Sequence, residues 1–389
     1  MRWATARRGL LRQAVVVGVA MLLVAGCGCA WPGSGGGHGG GGDDDPEGHG
    51  PDDAAFVERG PFDVGVRTLQ LDGRKAEVFY PSAEPPGPGH AKVAYDLRDG
   101  LSEALLGVVP ESLIIPIEVD AYRDLPVSDD GPFPVVLFSH GKGGWRTVNA
   151  TLLSDIASWG FVVASTDHLE RNLGAAVTNQ VHDNADYGAS FMATTLDRVL
   201  DEGEDGGLFA GAIDGEHVAA VGHSAGGGAA MALSIADDRV DVVVSWAASG
   251  PVELAPTPFM VIAAAGDPIT SNLPNDLTRN TGPTRVVELQ NSGHAVFTDV
   301  CPGITTPDGL YGRFQSAFGL SLPPEMTRLL TDGCEEGDTP VTDAWPTILH
   351  FTVAQLREAF DIGPVGAGLG PGVVENVPAE VTYEELNRP

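Results

Sequence analysis

Basic residues are scarce. The 389-residue chain carries 22 lysines and arginines, only three of them lysine, against 53 aspartates and glutamates, a formal charge of −31 at pH 7. Such a field repels phosphate backbones and anionic surfaces, so nucleic acid is not expected as a partner. The same acidity serves solubility equally well, for example in salt. Long apolar runs are also missing: Ala14 to Ala25 is too short for a membrane span, and it follows Arg2, Arg7, Arg8 and Arg12, the layout of an export signal. Cysteine is rare, with four in all. Cys27 and Cys29 belong to the export region, which leaves Cys301 and Cys334 for the folded part. In an oxidising compartment these two are expected to pair, closing a loop of about 33 residues and contributing about 3–4 kcal/mol in the chain-entropy model.

The signal ends on "LVAGC", which resembles the lipobox of bacterial lipoproteins. That likeness implies cleavage before Cys27, a lipid on its thiol, and contact with a membrane through that anchor. The chain is expected to be exported, as a cell-envelope lipoprotein or a secreted protein. Residues 1–26 are thus expected to be a lipoprotein signal peptide. Residues 27–54, rich in glycine and aspartate with no apolar periodicity, are expected to be a flexible tether. His38 and His49 beside Asp43 to Asp45 match no recognised metal spacing and suit a solvated linker. The folded domain is expected over 55–362, and 363–389, again rich in glycine and proline, is expected to be a tail.

Within that domain the nearly continuous apolar runs "PVVLFS", "FVVAS", "HVAAV", "VDVVVS", "FMVIAAA" and "RVVEL" suit strands buried on both faces. Stretches with helical spacing separate them, including "RTVNATLLSDIASWG", "ASFMATTLDRVLDE" and "AGGGAAMALSIADD". The alternation predicts an α/β fold, a mostly parallel twisted sheet with helices on both faces. "GVRTLQL" and "KAEVFYP" read as a leading antiparallel pair at the sheet edge, and "ILHFTVAQLREAF" as a closing helix.

In "AAVGHSAGGGAAM" one serine, Ser224, stands between Gly222 and Gly226 where the run "HVAAV" ends and a small-residue helix begins. This is the strand-to-helix elbow on which a nucleophilic serine projects above the sheet, and neighbours without side chains let the backbone turn. His223 reads as a packing residue, because adjacent residues at an elbow point apart.

A serine hydroxyl needs a base to take its proton, and the base needs a carboxylate to orient it. On this kind of sheet the partners follow in the order serine, acid, histidine, each on a loop after a later strand. "GDPIT" after "FMVIAAA" offers Asp267, with Asp276 and Asp299 as competitors. "SGHAVFTD" after "RVVELQN" offers His294. The other histidines lie in tether or loop, precede the serine, or, like His350, fall in the closing helix.

The tetrahedral oxyanion needs two backbone N–H donors. Ala225 supplies the one after the nucleophile. In "VLFSHGKGGW" the loop leaving an early strand offers Lys142, whose main chain is the expected donor while its side chain stays solvated. Trp145 either lines the acyl pocket or anchors the first helix.

"GPFPVVLFSHGKGGWRT", "SWGFVVASTDH", "VAAVGHSAGGGAA", "AAAGDPIT" and "SGHAVFTDVC" together resemble the α/β-hydrolase family. Within it they are similar to the branch of dienelactone-hydrolase-like proteins, platelet-activating-factor acetylhydrolases and bacterial cutinase or polyester hydrolases. The resemblance implies Ser224 as nucleophile, Asp267 as acid, His294 as base, and Lys142 and Ala225 as oxyanion donors. Dienelactone hydrolases carry cysteine where Ser224 stands. In the acetylhydrolases the acid lies nearer the nucleophile. Polyester hydrolases match the triad spacing better, yet usually have a bulky residue in place of Ala225; Trp246 is either their substrate-stacking tryptophan, shifted, or a core aromatic. The segment from Val300 to Thr342 is expected to brace the loop of His294 rather than cover it.

The expectation is therefore an exported serine carboxylester hydrolase of cutinase or polyester-hydrolase type, monomeric, needing no metal or organic cofactor. The alternatives are a phospholipid acyl-hydrolase of the platelet-activating-factor acetylhydrolase type and, from another class, a catalytically silent lipoprotein binding module.

Overall fold

The structure is a computed structural model and describes residues 49–248, 257–268, 282–319 and 331–387. The export signal, Cys27, Cys29, most of the tether and Asp276 lie outside the described residues.

Among the described residues eleven strands form one sheet. In chain order they are β1 (Val64–Gln70), β2 (Lys75–Pro81), β3 (Lys92–Tyr95), β4 (Ile117–Arg123), β5 (Phe133–Ser139) and β6 (Val162–Thr166). They continue with β7 (Ile213–His223), β8 (Val242–Trp246), β9 (Phe259–Ala264), β10 (Thr284–Leu289) and β11 (Val381–Leu386). Their spatial order is β11-β10-β9-β8-β7-β5-β6-β2-β1-β4-β3. The block β6-β5-β7-β8-β9-β10 is parallel throughout.

Among the described residues six helices frame the sheet and its rim: α1 (Ala150–Ala157), α2 (Leu173–Val177), α3 (Ala185–Gly203), α4 (Ala225–Ala236), α5 (Leu310–Phe318) and α6 (Val341–Ala359). The central strands read as unbroken apolar runs because helices cover both faces. Val136 and Phe138 of β5 pack with α1 and α6, whereas Val135 and Leu137, one residue out of phase, pack with α3 and α4. This is the period-two alternation of a pleated strand with no solvent-facing side. None of the described helices is long and apolar enough to cross a membrane.

Two expectations about organisation are corrected. The leading pair β1 and β2 is not the sheet edge: β2 joins β6, and β1 joins β4, which in turn carries β3. Strand β4 escaped notice because only Val119 and Ala121 of "IEVDAYR" are buried, leaving its charged alternate residues to mask the pattern.

Nor is 363–387 a tail. Strand β11 pairs antiparallel with β10 along its whole length, and Leu369, Val373, Ala379 and Val381 enter the core. Its glycines lie against the start of the described chain, where Gly370 donates to Pro51 O and Gly372 to the Asp52 carboxylate. The folded body therefore begins by Gly50 rather than at residue 55. His350 ties the same seam from the middle of α6: its Nδ1 accepts the Phe56 N–H and its Nε2 donates to Gly368 O.

Candidate active site

The carboxyl ends of β5, β7, β9 and β10 meet at one rim of the sheet, and each delivers one part of the site. Strand β7 ends at His223, and α4 begins at Ala225, so Ser224 is the whole turn between them. Its backbone is held at φ 57°, ψ −124°, a strained conformation for a residue with a side chain. The flanking glycines are steric necessities. A methyl carbon at Gly222 would stand 2.1 Å from Gly226 O, and one at Gly226 would stand 1.8 Å from Ser139 O.

His294 comes from the loop after β10, at the head of a 3-10 turn spanning His294–Phe297. Its Nε2 lies 2.9 Å from Ser224 Oγ. Its Nδ1 lies 2.9 Å from Asp267 Oδ2, and Asp267 is buried in the turn after β9. A carboxylate only accepts, so Nδ1 carries the ring proton and Nε2 presents its lone pair to the serine hydroxyl. The loops of Asp267 and His294 stay in register because β9 and β10 are neighbours, and because Gly266 N–H donates to Ser292 O at 2.9 Å.

His223 is buried under this pair. Its ring lies 4.9 Å from that of His294, and its Nε2 donates to His294 O at 3.1 Å. Burial, reinforced by His294, pushes its pKa down to about 3. A neutral His223 thus supports the backbone of His294 without competing for its ring proton. The competing carboxylate Asp299 sits elsewhere: it accepts from Thr151 N at 3.1 Å, at the amino end of α1. Full burial pushes Asp299 up to about 7.

The loop after β5 lies over the serine. A methyl carbon at Gly141 would be 3.0 Å from Ser224 Cβ. Lys142 follows, and among the described residues its N–H has no hydrogen-bond acceptor. Ala225, as the first residue of α4, has an N–H that no preceding helical carbonyl can take. Two N–H groups without an acceptor among the described residues therefore belong to the two segments next to Ser224.

Neither tryptophan stands in the open site. Trp246 is fully buried in the core, its indole N–H bonded to Thr352 Oγ1 at 3.1 Å and its ring stacked on Phe297. The substrate-stacking role is corrected to a core one, because β8 turns this side chain toward α6. Trp145 is 1% exposed and packs in a satellite cluster with Leu97, Leu113, Leu173 and Leu310.

Cys301 and Cys334 form a disulfide with Cα atoms 5.3 Å apart. Beside it Asp332 Oδ2 accepts the His294 N–H at 2.6 Å, and Asp332 O accepts that of Ala295 at 3.0 Å. This part of the 300–342 segment braces the base loop. Nothing in the sequence marked Asp332, since its role exists only once the disulfide brings the two stretches together. Among the described residues no group of three or more histidine, cysteine, aspartate or glutamate side chains could hold a metal ion.

A family model described as platelet-activating factor acetylhydrolase, isoform II, matches residues 58–190, a stretch that holds the Gly141–Lys142 loop but not the serine. The platelet-activating factor acetylhydrolase of Cavia porcellus is 27% identical over 126 residues, 30% of this chain and 29% of that protein. Lipase 1 of Moraxella sp. (strain TA144) is 31% identical over 147 residues, 36% of this chain and 41% of that protein. The chain thus spans less than half the length of these curated relatives. A ferulic acid esterase from Streptomyces cinnamoneus has a similar structure, with TM-score 0.59 and 21% identity over 83% of this chain and 96% of that one.

Proposed function

We propose that the chain, which has the α/β-hydrolase fold and is similar over residues 58–190 to the acetylhydrolase family model, is an exported serine carboxylester hydrolase. The observation that carries this reading is the pair of 2.9 Å contacts linking Asp267, His294 and Ser224.

Ser224 Oγ attacks the ester carbonyl as His294 Nε2 takes its proton, and Asp267 stabilises the imidazolium so formed. The carbonyl oxygen, now negative, rests on the N–H groups of Lys142 and Ala225. His294 returns the proton to the departing alcohol, leaving an acyl-Ser224. Water, activated by the same histidine, then releases the acid and restores the serine.

Of the ester classes, cutin-like and other polyesters are favoured by the similarity of the triad spacing to that of polyester hydrolases. A second reading, hydrolysis of short acyl groups from phospholipids, is favoured by the acetylhydrolase family match over 58–190. Cys27 would carry the lipid that keeps the enzyme at the cell envelope.

A fluorophosphonate probe tests the chemistry: it should label the wild type and leave Ser224→Ala unmarked, while ester turnover falls by roughly a millionfold. An unlabelled wild type, or labelling that survives the substitution, overturns the reading. Comparing p-nitrophenyl acetate, polyester film and an acetyl phospholipid then separates the substrate classes.

A further inference from the structure

Arg171 lies between β6 and α2, outside the triad, and its side chain is completely buried. It reaches three partners in two segments at once. Nε donates to His140 O at 3.0 Å, Nη2 to Ser139 Oγ at 2.6 Å, and Nη1 to Asp183 Oδ2 at 2.7 Å. Its own backbone carbonyl accepts the Gly143 N–H at 2.7 Å. Residue 171 therefore grips the loop on both sides of Lys142.

A buried guanidinium is costly to desolvate, and an apolar side chain would fill the same volume more cheaply. What it alone supplies is a rigid fork of donors with fixed directions. The surroundings are shaped to admit it: a methyl carbon at Gly188 of α3 would come within 3.0 Å of Arg171 Nη1 and 2.5 Å of Ala229 Cβ.

From this anchor the order passes to the peptide that matters. His140 Nδ1 donates to Gly141 O at 2.8 Å, and its Nε2 accepts the His168 N–H at 3.1 Å. Gly144 N–H donates to the same Gly141 carbonyl at 3.1 Å. The peptide joining Gly141 to Lys142 is thus held by its oxygen through two donors, and its N–H has no acceptor among the described residues. Hydrogen bonds in series polarise one another, so a doubly occupied carbonyl strengthens the N–H at the other end of that peptide. Burial, then the Arg171 charge, pushes the His140 ring down to about 3, which preserves the lone pair this chain requires.

We propose that Arg171 is the positioning residue of the oxyanion loop, holding residues 139–143 so that the Lys142 N–H is already aimed at the developing negative oxygen. The proposal rests on the hydrolase reading above.

The test is a double-mutant cycle on the full exported chain, with p-nitrophenyl acetate as substrate. Lys142→Pro removes the N–H itself and should lower kcat by about 10²–10³-fold. Arg171→Gln should lower kcat by about 30-fold or more and leave KM within about threefold. In the Lys142→Pro background the same Arg171→Gln should cost less than about threefold, because the group it positions is gone. Equal losses in both backgrounds, or a raised KM with unchanged kcat, would overturn the proposal. Should Arg171→Gln fail to fold by circular dichroism, Asp183→Asn replaces it, leaving the guanidinium in place but unanchored. That variant is expected to lose several-fold in kcat only where Lys142 is present, and additivity again counts against the idea. A wild type without Ser224-dependent turnover defeats the hydrolase reading and this proposal together; intact turnover with additive losses defeats this one alone.

Discussion

Asp332 holds the backbone of His294 from both directions, its carboxylate on the N–H of residue 294 and its carbonyl on that of residue 295. The imidazole is therefore aimed by a residue that the Cys301–Cys334 bridge keeps in place. Asp332→Ala is expected to lower kcat about tenfold or more with KM little changed, since misaiming the proposed base weakens the transition state rather than binding. Cys334→Ser should cost about 3–4 kcal/mol in urea unfolding and show the same kcat loss. Steady-state kinetics on both variants decide it: full kcat in each would mean the bridge serves stability alone.

The two glycines flanking Ser224 make a sharper claim. With less than about 2.2 Å available to a new methyl carbon against backbone oxygens, no rotamer can relieve the clash at Gly222 or Gly226. Gly226→Ala is expected to destabilise the domain by more than about 3 kcal/mol and to abolish turnover. An urea midpoint close to wild type would show that the elbow can shift.

Trp246 provides a contrast. Buried with its N–H bonded to Thr352, it should respond to Trp246→Phe with a loss of about 1–2 kcal/mol in stability and no change in KM for any ester. A selective rise in KM for aromatic esters would return this residue to the substrate pocket.

The pH dependence of stability has two opposing sources. Asp299 is pushed up to about 7, above its unfolded value, so its contribution is full below about pH 4 and is lost as pH rises through 7. His140 and His223 are pushed down to about 3, so theirs is full above about pH 6.5 and is lost as pH falls toward 3. Asp299→Asn retains the oxygen that accepts the Thr151 N–H and removes only the first slope. Urea midpoints measured from pH 4 to 8 should therefore rise more steeply with pH in Asp299→Asn than in wild type. Parallel profiles would show that Asp299 ionises freely in the native state.

Much of this was legible in the sequence for a physical reason. A strand buried on both faces must be apolar at every position, so β5 through β10 announce themselves as continuous runs, and their ends bound the loops that hold Ser224, Asp267 and His294. Strands with a solvent-facing side carry no such demand. In β4 half the residues face solvent, and β11, "VTYEEL", is mostly polar, so both were invisible to an apolar count. Bracing residues were illegible for another reason. Arg171 and Asp332 act through backbone groups of segments distant in sequence, and any sequence at His140 or Ala295 offers the same carbonyl or N–H. Trp246 shows the converse limit: a tryptophan one residue beyond an apolar run reads alike whether its ring meets solvent or core.

The seam between residues 50–56 and 363–387 has a consequence for how the molecule is assembled. Hydrogen bonds there join partners 320 and 324 positions apart, among the widest separations in the chain. Contacts of such span close late, after the intervening polymer has been ordered. A polypeptide emerging from its site of synthesis or secretion must therefore hold residues 50–56 without their final partner, and β10 keeps an open edge until β11 arrives to cover it.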